Sequence, residues 1–269
     1  MKNSDHTTLP AVFIGHGNPM LTIGDNDYTR RWADLGQRLP RPKAILVISA
    51  HWYLPEMRVT AMSMPKTIHD FYGFPDELFQ IEYPASGSPE LAEAVADLLL
   101  PDSFEADHQW GLDHGAWTIL RHLYPQAPVP VIQLSLDSRK SPQEHYRVGQ
   151  KIATLRDEGV LIVGSGNVVH NLRGFAWHNQ QKEPPSWAVD FEAWNKEQLL
   201  SGKTGELADY LSCGEMAKQS APSPDHYLPL MYLAAVKSPE DHVSFPVEGF
   251  DGGTMSMLSV MVSPETSAN

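Results

Sequence analysis

Histidine is the side chain best placed to do chemistry in this sequence, because of where it falls. His16 follows the apolar run Ala11-Val12-Phe13-Ile14-Gly15. His51 follows Ala44-Ile45-Leu46-Val47-Ile48-Ser49-Ala50, and His170 comes just past Val160-Leu161-Ile162-Val163-Gly164. Each run has the length and composition of a short buried strand. In an open α/β sheet, ligands bind outside the carboxyl ends of the strands. Imidazole is the commonest metal-binding side chain, so three imidazoles on one such rim predict a metal site.

The local settings refine this. In Gly15-His16-Gly17-Asn18-Pro19 the flanking glycines permit a sharp turn that exposes the ring. Ser49-Ala50-His51-Trp52 repeats the strand-end position. For both, the competing reading is a histidine satisfied by neighbouring hydrogen bonds. His226, bracketed by Pro224 and Pro229, is read as the further ligand that His16 and His51 need. Asp225 is expected to N-cap a helix starting near His226. Adjacent helical residues point about 100° apart, so Asp225 and His226 are not expected to share one metal.

His170 follows the glycine-rich exit Gly164-Ser165-Gly166-Asn167, which matches neither a Walker loop nor a dinucleotide fingerprint. It is read as a general acid/base or as a fourth nitrogen ligand. Asp113-His114-Gly115 looks like a helix start capped by Asp113, with His114 either a neutral hydrogen-bonding group or simply exposed. Thr67 through Pro75 places Phe71, Tyr72 and Phe74 around His69. That aromatic density suits either a flat, partly apolar substrate or a loop pinned to the surface. His6, His108, His122, His145, His178 and His242 are expected on the surface or on helix faces.

The elements that must position these groups alternate. Strands are expected at Val12–Gly15, Ala44–Ala50, Arg58–Met62, Val129–Leu134, Val160–Gly164 and Met255–Val262. Several are continuous apolar runs, as strands covered on both faces require. Helical patterns fall at Tyr28–Leu39, Pro89–Leu100, His114–Leu123, Gln143–Glu158, Trp187–Leu200 and Gly205–Leu211. The alternation predicts a single-domain α/β sandwich, residues 1–269, with frayed ends at 1–10 and 263–269. Long loops at 64–88 and 175–186 are candidates for function.

The 269 residues carry a formal net charge of −13, with 42% hydrophobic and 20% charged residues. That charge argues against nucleic acid or an anionic membrane as a partner. Cys213 is the only cysteine, so no internal disulfide or paired-cysteine metal motif forms. The polar Met1–Pro10 segment has no signal-peptide core, and no stretch reaches the about 18 apolar residues of a spanning helix. A cytoplasmic enzyme is expected.

Taken together and in order, Gly15 to Pro19, Ser49 to Trp52, Thr67 to Pro75, Leu112 to Gly115, Gly164 to Asn171 and Asp225-His226 form a specific set. The chain resembles the class III extradiol ring-cleavage dioxygenases, and within them the 4,5-DOPA extradiol dioxygenase branch. The resemblance runs from about residue 11 to the last strand and implies a mixed, mostly parallel sheet flanked by helices. It implies one divalent metal, a small catecholic substrate such as L-DOPA, and molecular oxygen. By motif matching, His16, His51 and His226 would be the ligands, and His170 the acid/base or a fourth ligand. His114 would act beside the substrate, with His69, Phe71, Tyr72 and Asp113 shaping the pocket.

Non-haem iron oxygenases commonly use two histidines and a carboxylate. Here the third ligand matches His226, with Asp225 the alternative. An all-histidine site suits Fe(II) bound to a catecholate and equally suits Zn(II). A zinc-dependent hydrolase on the same histidines is therefore a second reading. A non-catalytic metal-binding protein ranks last, because structural zinc sites favour cysteine.

Overall fold

The computed structural model describes residues 8–100 and 104–265. The chain runs β1 (Ala11–Gly15), α1 (Asp27–Arg38), β2 (Ala44–Leu54), β3 (Met57–Thr60), α2 (Asp76–Phe79), α3 (Pro89–Leu99) and β4 (Phe104–Asp107). It continues through α4 (His114–Leu123), β5 (Val131–Asp137), α5 (Pro142–Lys151), β6 (Val160–Gly166), α6 (Ser186–Leu200) and α7 (Glu215–Ser220). It closes with α8 (Pro229–Val236), β7 (Asp241–Val247), β8 (Phe250–Asp251), β9 (Met255–Ser256) and β10 (Ser259–Pro264).

Eight strands form one mixed sheet in the order β4-β3-β5-β2-β6-β1-β10-β7, and β8 and β9 form a separate ribbon. The centre β5-β2-β6-β1 is parallel throughout. On one side β10 runs antiparallel to β1 and to β7, and on the other β3 runs antiparallel to β5. The outer pair β3 and β4 is parallel.

Strand alternation sends side chains to two cores. Phe13, Leu46, Ile48, Ile132 and Ile162 pack with residues of α3, α5, α6 and α8. Val12, Ile14, Ile45, Val47 and Val163 face the opposite way, with Trp32 of α1 and Trp117 of α4.

Most expected elements are present with shifted ends, the helix expected near His226 being α8, while β4, β7, β8, α2 and α7 were not anticipated. The expected helix Gly205–Leu211 is a kinked 3-10 segment, Thr204–Cys213. Ordered structure also reaches further than the expected frayed ends. Leu9 and Pro10 are buried, and Ser263 and Pro264 pair with His242 and Asp241. The remainder of those ends, residues 1–7 and 266–269, and with them His6, lies outside the described residues.

His145 lies on a helix face, that of α5, and is fully buried there rather than on the surface. Its ring nitrogens contact the Tyr232 hydroxyl at 2.9 Å and the Asp137 carbonyl at 3.1 Å. A helix face packed against another helix reads like a solvent-facing one when its partner residue is polar.

A buried ion pair locks the sheet's edge to the body. Arg156 holds Asp241 at 2.6 and 2.9 Å and also donates to the carbonyls of Leu9 and Val236. Burial raises the Asp241 pKa, but the guanidinium and the Ser238 N–H outweigh it and hold the carboxyl below its ordinary value. This contribution is therefore complete above the unfolded pKa of about 3.9 and fades only as pH falls below it. Asp241→Ala strands a buried guanidinium and should cost about 3–5 kcal/mol in denaturant unfolding. Replacing both partners with apolar residues should recover most of that loss.

Candidate active site

β2, β6 and β1 are parallel neighbours, so their carboxyl ends share one rim. His16 is the first residue after β1, and Gly17 turns the chain away with φ of +65°. His51 arrives differently from the expected strand end. β2 continues to Leu54, and it advances five positions, Ile48 to Tyr53, while β5 advances two, Leu134 to Leu136. This wide bulge re-aims the His51 ring while the strand goes on.

His114 opens α4, where Asp113 caps the helix by accepting from the Ala116 N–H at 3.1 Å. A Cβ on Gly115 would lie 2.4 Å from Ser49 Oγ and 3.0 Å from His51 Cδ2, so glycine is what lets α4 start against β2. His170 follows β6, bridged to Met255 and donating its N–H to the Ser220 carbonyl.

His226 sits in the turn before α8. Here the expectation for Asp225 is corrected. The helix starts at Pro229 with Leu228 as its N-cap, and the Asp225 carboxylate instead engages His226 Nδ1 at 2.5 Å. Proline cannot supply an N–H within a helix, so Pro229 sets the first turn and the cap shifts past Asp225.

Five imidazoles converge at this rim. His16 and His51 meet through their Nε2 atoms at 3.1 Å. The His51 ring lies 3.7 Å from His114 and 5.0 Å from His226, and His16 lies 5.3 Å from His226. His170 stacks on His226 at 3.5 Å with 3° between the planes. Donor nitrogens of His16, His51 and His114 all lie within 4.8 Å of one another.

Burial, then repulsion from the neighbouring imidazoles, lowers the pKa of His16 and His51 well below the ordinary value. Burial and His226 do the same to His170, opposed in part by Asp225. Neutral, crowded nitrogen donors are what a divalent cation requires, so the residues present fit a bound metal.

Behind the rings stands a polar layer that sequence reasoning missed in part. Asp70 accepts from the His114 backbone N–H at 2.8 Å and lies 3.0 Å from its Nδ1, off the direction of a hydrogen bond. It is also 3.7 Å from His51 Nδ1. Burial raises its pKa, and the contacts with His114 more than reverse that. Asp113 is fully buried, accepts from Ser49 Oγ and Gln133 Nε2 at 2.7 Å each, and donates its N–H to Gln133 Oε1. Burial and the charge of Asp70 raise its pKa. Ser165 contacts His16 Nδ1 at 3.0 Å. Gln133, polar in the middle of an apolar strand, was the available signal for this layer; Ser49 and Ser165 resembled ordinary strand residues.

The remaining candidates are distributed unevenly. Phe71 packs edge-on against His114 at 5.5 Å. His69 donates from Nε2 to the Ile81 carbonyl and packs against Phe71, Phe79 and Trp117, so it anchors its loop. Tyr72 is 92% exposed, and Asp113 faces scaffold groups.

Comparison with known proteins now has a site to explain. The family described as the catalytic LigB subunit of aromatic ring-opening dioxygenase matches residues 11–262. The chain is 47% identical over 260 residues to the 4,5-DOPA dioxygenase extradiol of Escherichia coli K12, covering 95% of each chain. It is 38% identical to the protein of the same name from Beta vulgaris, over 94% of this chain and 96% of that one. A crystal structure of an uncharacterized protein from Escherichia coli K12 superposes with a TM-score of 0.82 and 42% identity, over 95% of this chain and all of the other. The histidine rim and these matches agree: the chain belongs to the LigB family and is an extradiol aromatic ring-opening dioxygenase.

Proposed function

We propose that the chain opens the ring of a small catechol such as L-DOPA with molecular oxygen, giving a ring-opened semialdehyde acid. The observation that carries this reading is the crowding of five imidazoles at one sheet rim, three with donor nitrogens within 4.8 Å. The names of the relatives support a catechol bearing an amino-acid side chain. In this reading the whole chain is one catalytic domain working in the cytoplasm, in keeping with its single cysteine. Its partners are the small substrate and oxygen, with no role for nucleic acid or membrane. No helix among the described residues is long and apolar enough to cross a membrane.

His16, His51 and His226 are assigned as the metal ligands, with His114, the third member of the group within 4.8 Å, as the alternative third ligand. Support for His226 is its back side: Asp225 engages Nδ1 and leaves Nε2 free, the arrangement that orients many metal-binding histidines. Fe(II) held by these residues would lower the pKa of the catechol hydroxyls and supply the redox chemistry for oxygen, whereas Zn(II) would fill the same donors without it. His170 is kept neutral by its buried setting, so it accepts one hydroxyl proton and returns it later in the reaction. His114, backed by Asp70, donates or accepts at the substrate oxygen, and Phe71 walls the ring. Asp113 serves by fixing the start of α4, and His69 anchors the loop that carries Phe71 and Tyr72.

Anaerobic loading with Fe(II), followed by L-DOPA and oxygen, should give oxygen uptake and a yellow product. Zinc-loaded protein should take up none, and absence of uptake across a catechol panel with iron would refute the proposal. The third ligand is testable by metal content. His226→Ala should lose metal more severely than the about 10–100-fold typical of a lost supporting partner, while His114→Ala keeps it. The reverse result assigns the third position to His114. His170→Ala should keep metal and lower turnover by about 10²–10⁴-fold, and metal loss would make His170 a ligand.

A further inference from the structure

We infer that Ser165 is a positioning residue that selects the tautomer of His16 and so keeps its Nε2 free to bind metal. This inference rests on the metal-site reading proposed above. Ser165 is fully buried in β6, where water cannot supply alternative partners. Its hydroxyl has two close neighbours, the Gly115 carbonyl at 2.6 Å and His16 Nδ1 at 3.0 Å. A carbonyl only accepts, so the single hydroxyl proton goes to Gly115. The oxygen can then serve Nδ1 only as an acceptor, and Nδ1 must carry hydrogen. A neutral imidazole has one N–H, so Nε2 keeps its lone pair, and that atom lies 3.1 Å from His51 Nε2.

The geometry couples two elements. Gly115 immediately follows His114 at the start of α4, so the helix that delivers His114 also aims the Ser165 proton. A cation can therefore enter without a change of tautomer at His16. Had His16 taken the other tautomer, an N–H would point toward the ligand position and the Ser165 oxygen would lose its donor.

The test combines zinc affinity with ¹⁵N NMR of the imidazole groups, which distinguishes Nδ1–H from Nε2–H. In the wild-type chain His16 should be Nδ1–H both without metal and with zinc. Ser165→Ala should shift metal-free His16 toward Nε2–H and weaken zinc binding about 10–100-fold, the scale for loss of a partner behind a ligand. Ser165→Thr, which keeps the hydroxyl, should retain the wild-type tautomer. A wild-type His16 found as Nε2–H overturns the inference whether or not the variants fold. Zinc affinity unchanged in Ser165→Ala overturns it as well. A wild-type chain that binds no zinc refutes the metal assignment instead, and the tautomer of His16 in that same chain still decides the role of Ser165.

Discussion

The site depends on holding five imidazoles against one another, with burial keeping His16, His51 and His170 uncharged. A proton added to His16, His51 or His170 would be repelled by neighbouring rings and would have to be buried. Polar rings also gain little from packing against each other, so nothing intrinsic draws them together. The scaffold must therefore hold them where they would not gather by themselves. It does so from behind: Asp225 on His226, Asp70 on His114 and near His51, and Ser165 on His16. The oxygen groups sit on the outer side of the cluster, and the donor nitrogens of His16, His51 and His114 crowd within it.

The two apolar cores make this confinement affordable. α8 is buried on every side, and the turn that precedes it carries His226. The end of β6 touches that turn closely: a Cβ on Gly166 would lie 2.2 Å from the His226 carbonyl, and Asn167 donates its N–H to the same oxygen. The start of α4 is pinned by the buried polar group of Asp113, Gln133 and Ser49. Burial thus fixes backbone, and backbone fixes ring position.

Much of this was legible in the residues. Apolar runs located β1, β2, β5 and β6, and the Pro89 and Asp113 starts located α3 and α4. What escaped did so for physical reasons. The start of α8 was misplaced to His226, because the helix is apolar all round and has no helical period to mark its bounds. β7 carries Pro246 and alternating exposure, as an edge strand tolerates, and β4 is a short, polar edge. At the site, the histidines announced themselves through their position after apolar runs. Asp70 was hidden beside the more conspicuous His69, and Asp225 was drawn to a capping role because acidic residues before helices usually cap. Local spacing cannot reveal a partner that arrives from another strand, which is why Ser165 went unnoticed.

The bulge in β2 changes what kind of support His51 has. His16 departs from the end of β1 like a cantilever, with one anchored side and a glycine turn beyond. His51 is instead carried by a beam fixed at both ends. Before it, Ile48 pairs with Leu134 and Ser49 with Ser165; after it, Tyr53 and Leu54 pair with Leu136 and Asp137. A ring mounted this way has little freedom to swing. It supplies the stationary reference against which the other four rings take their places.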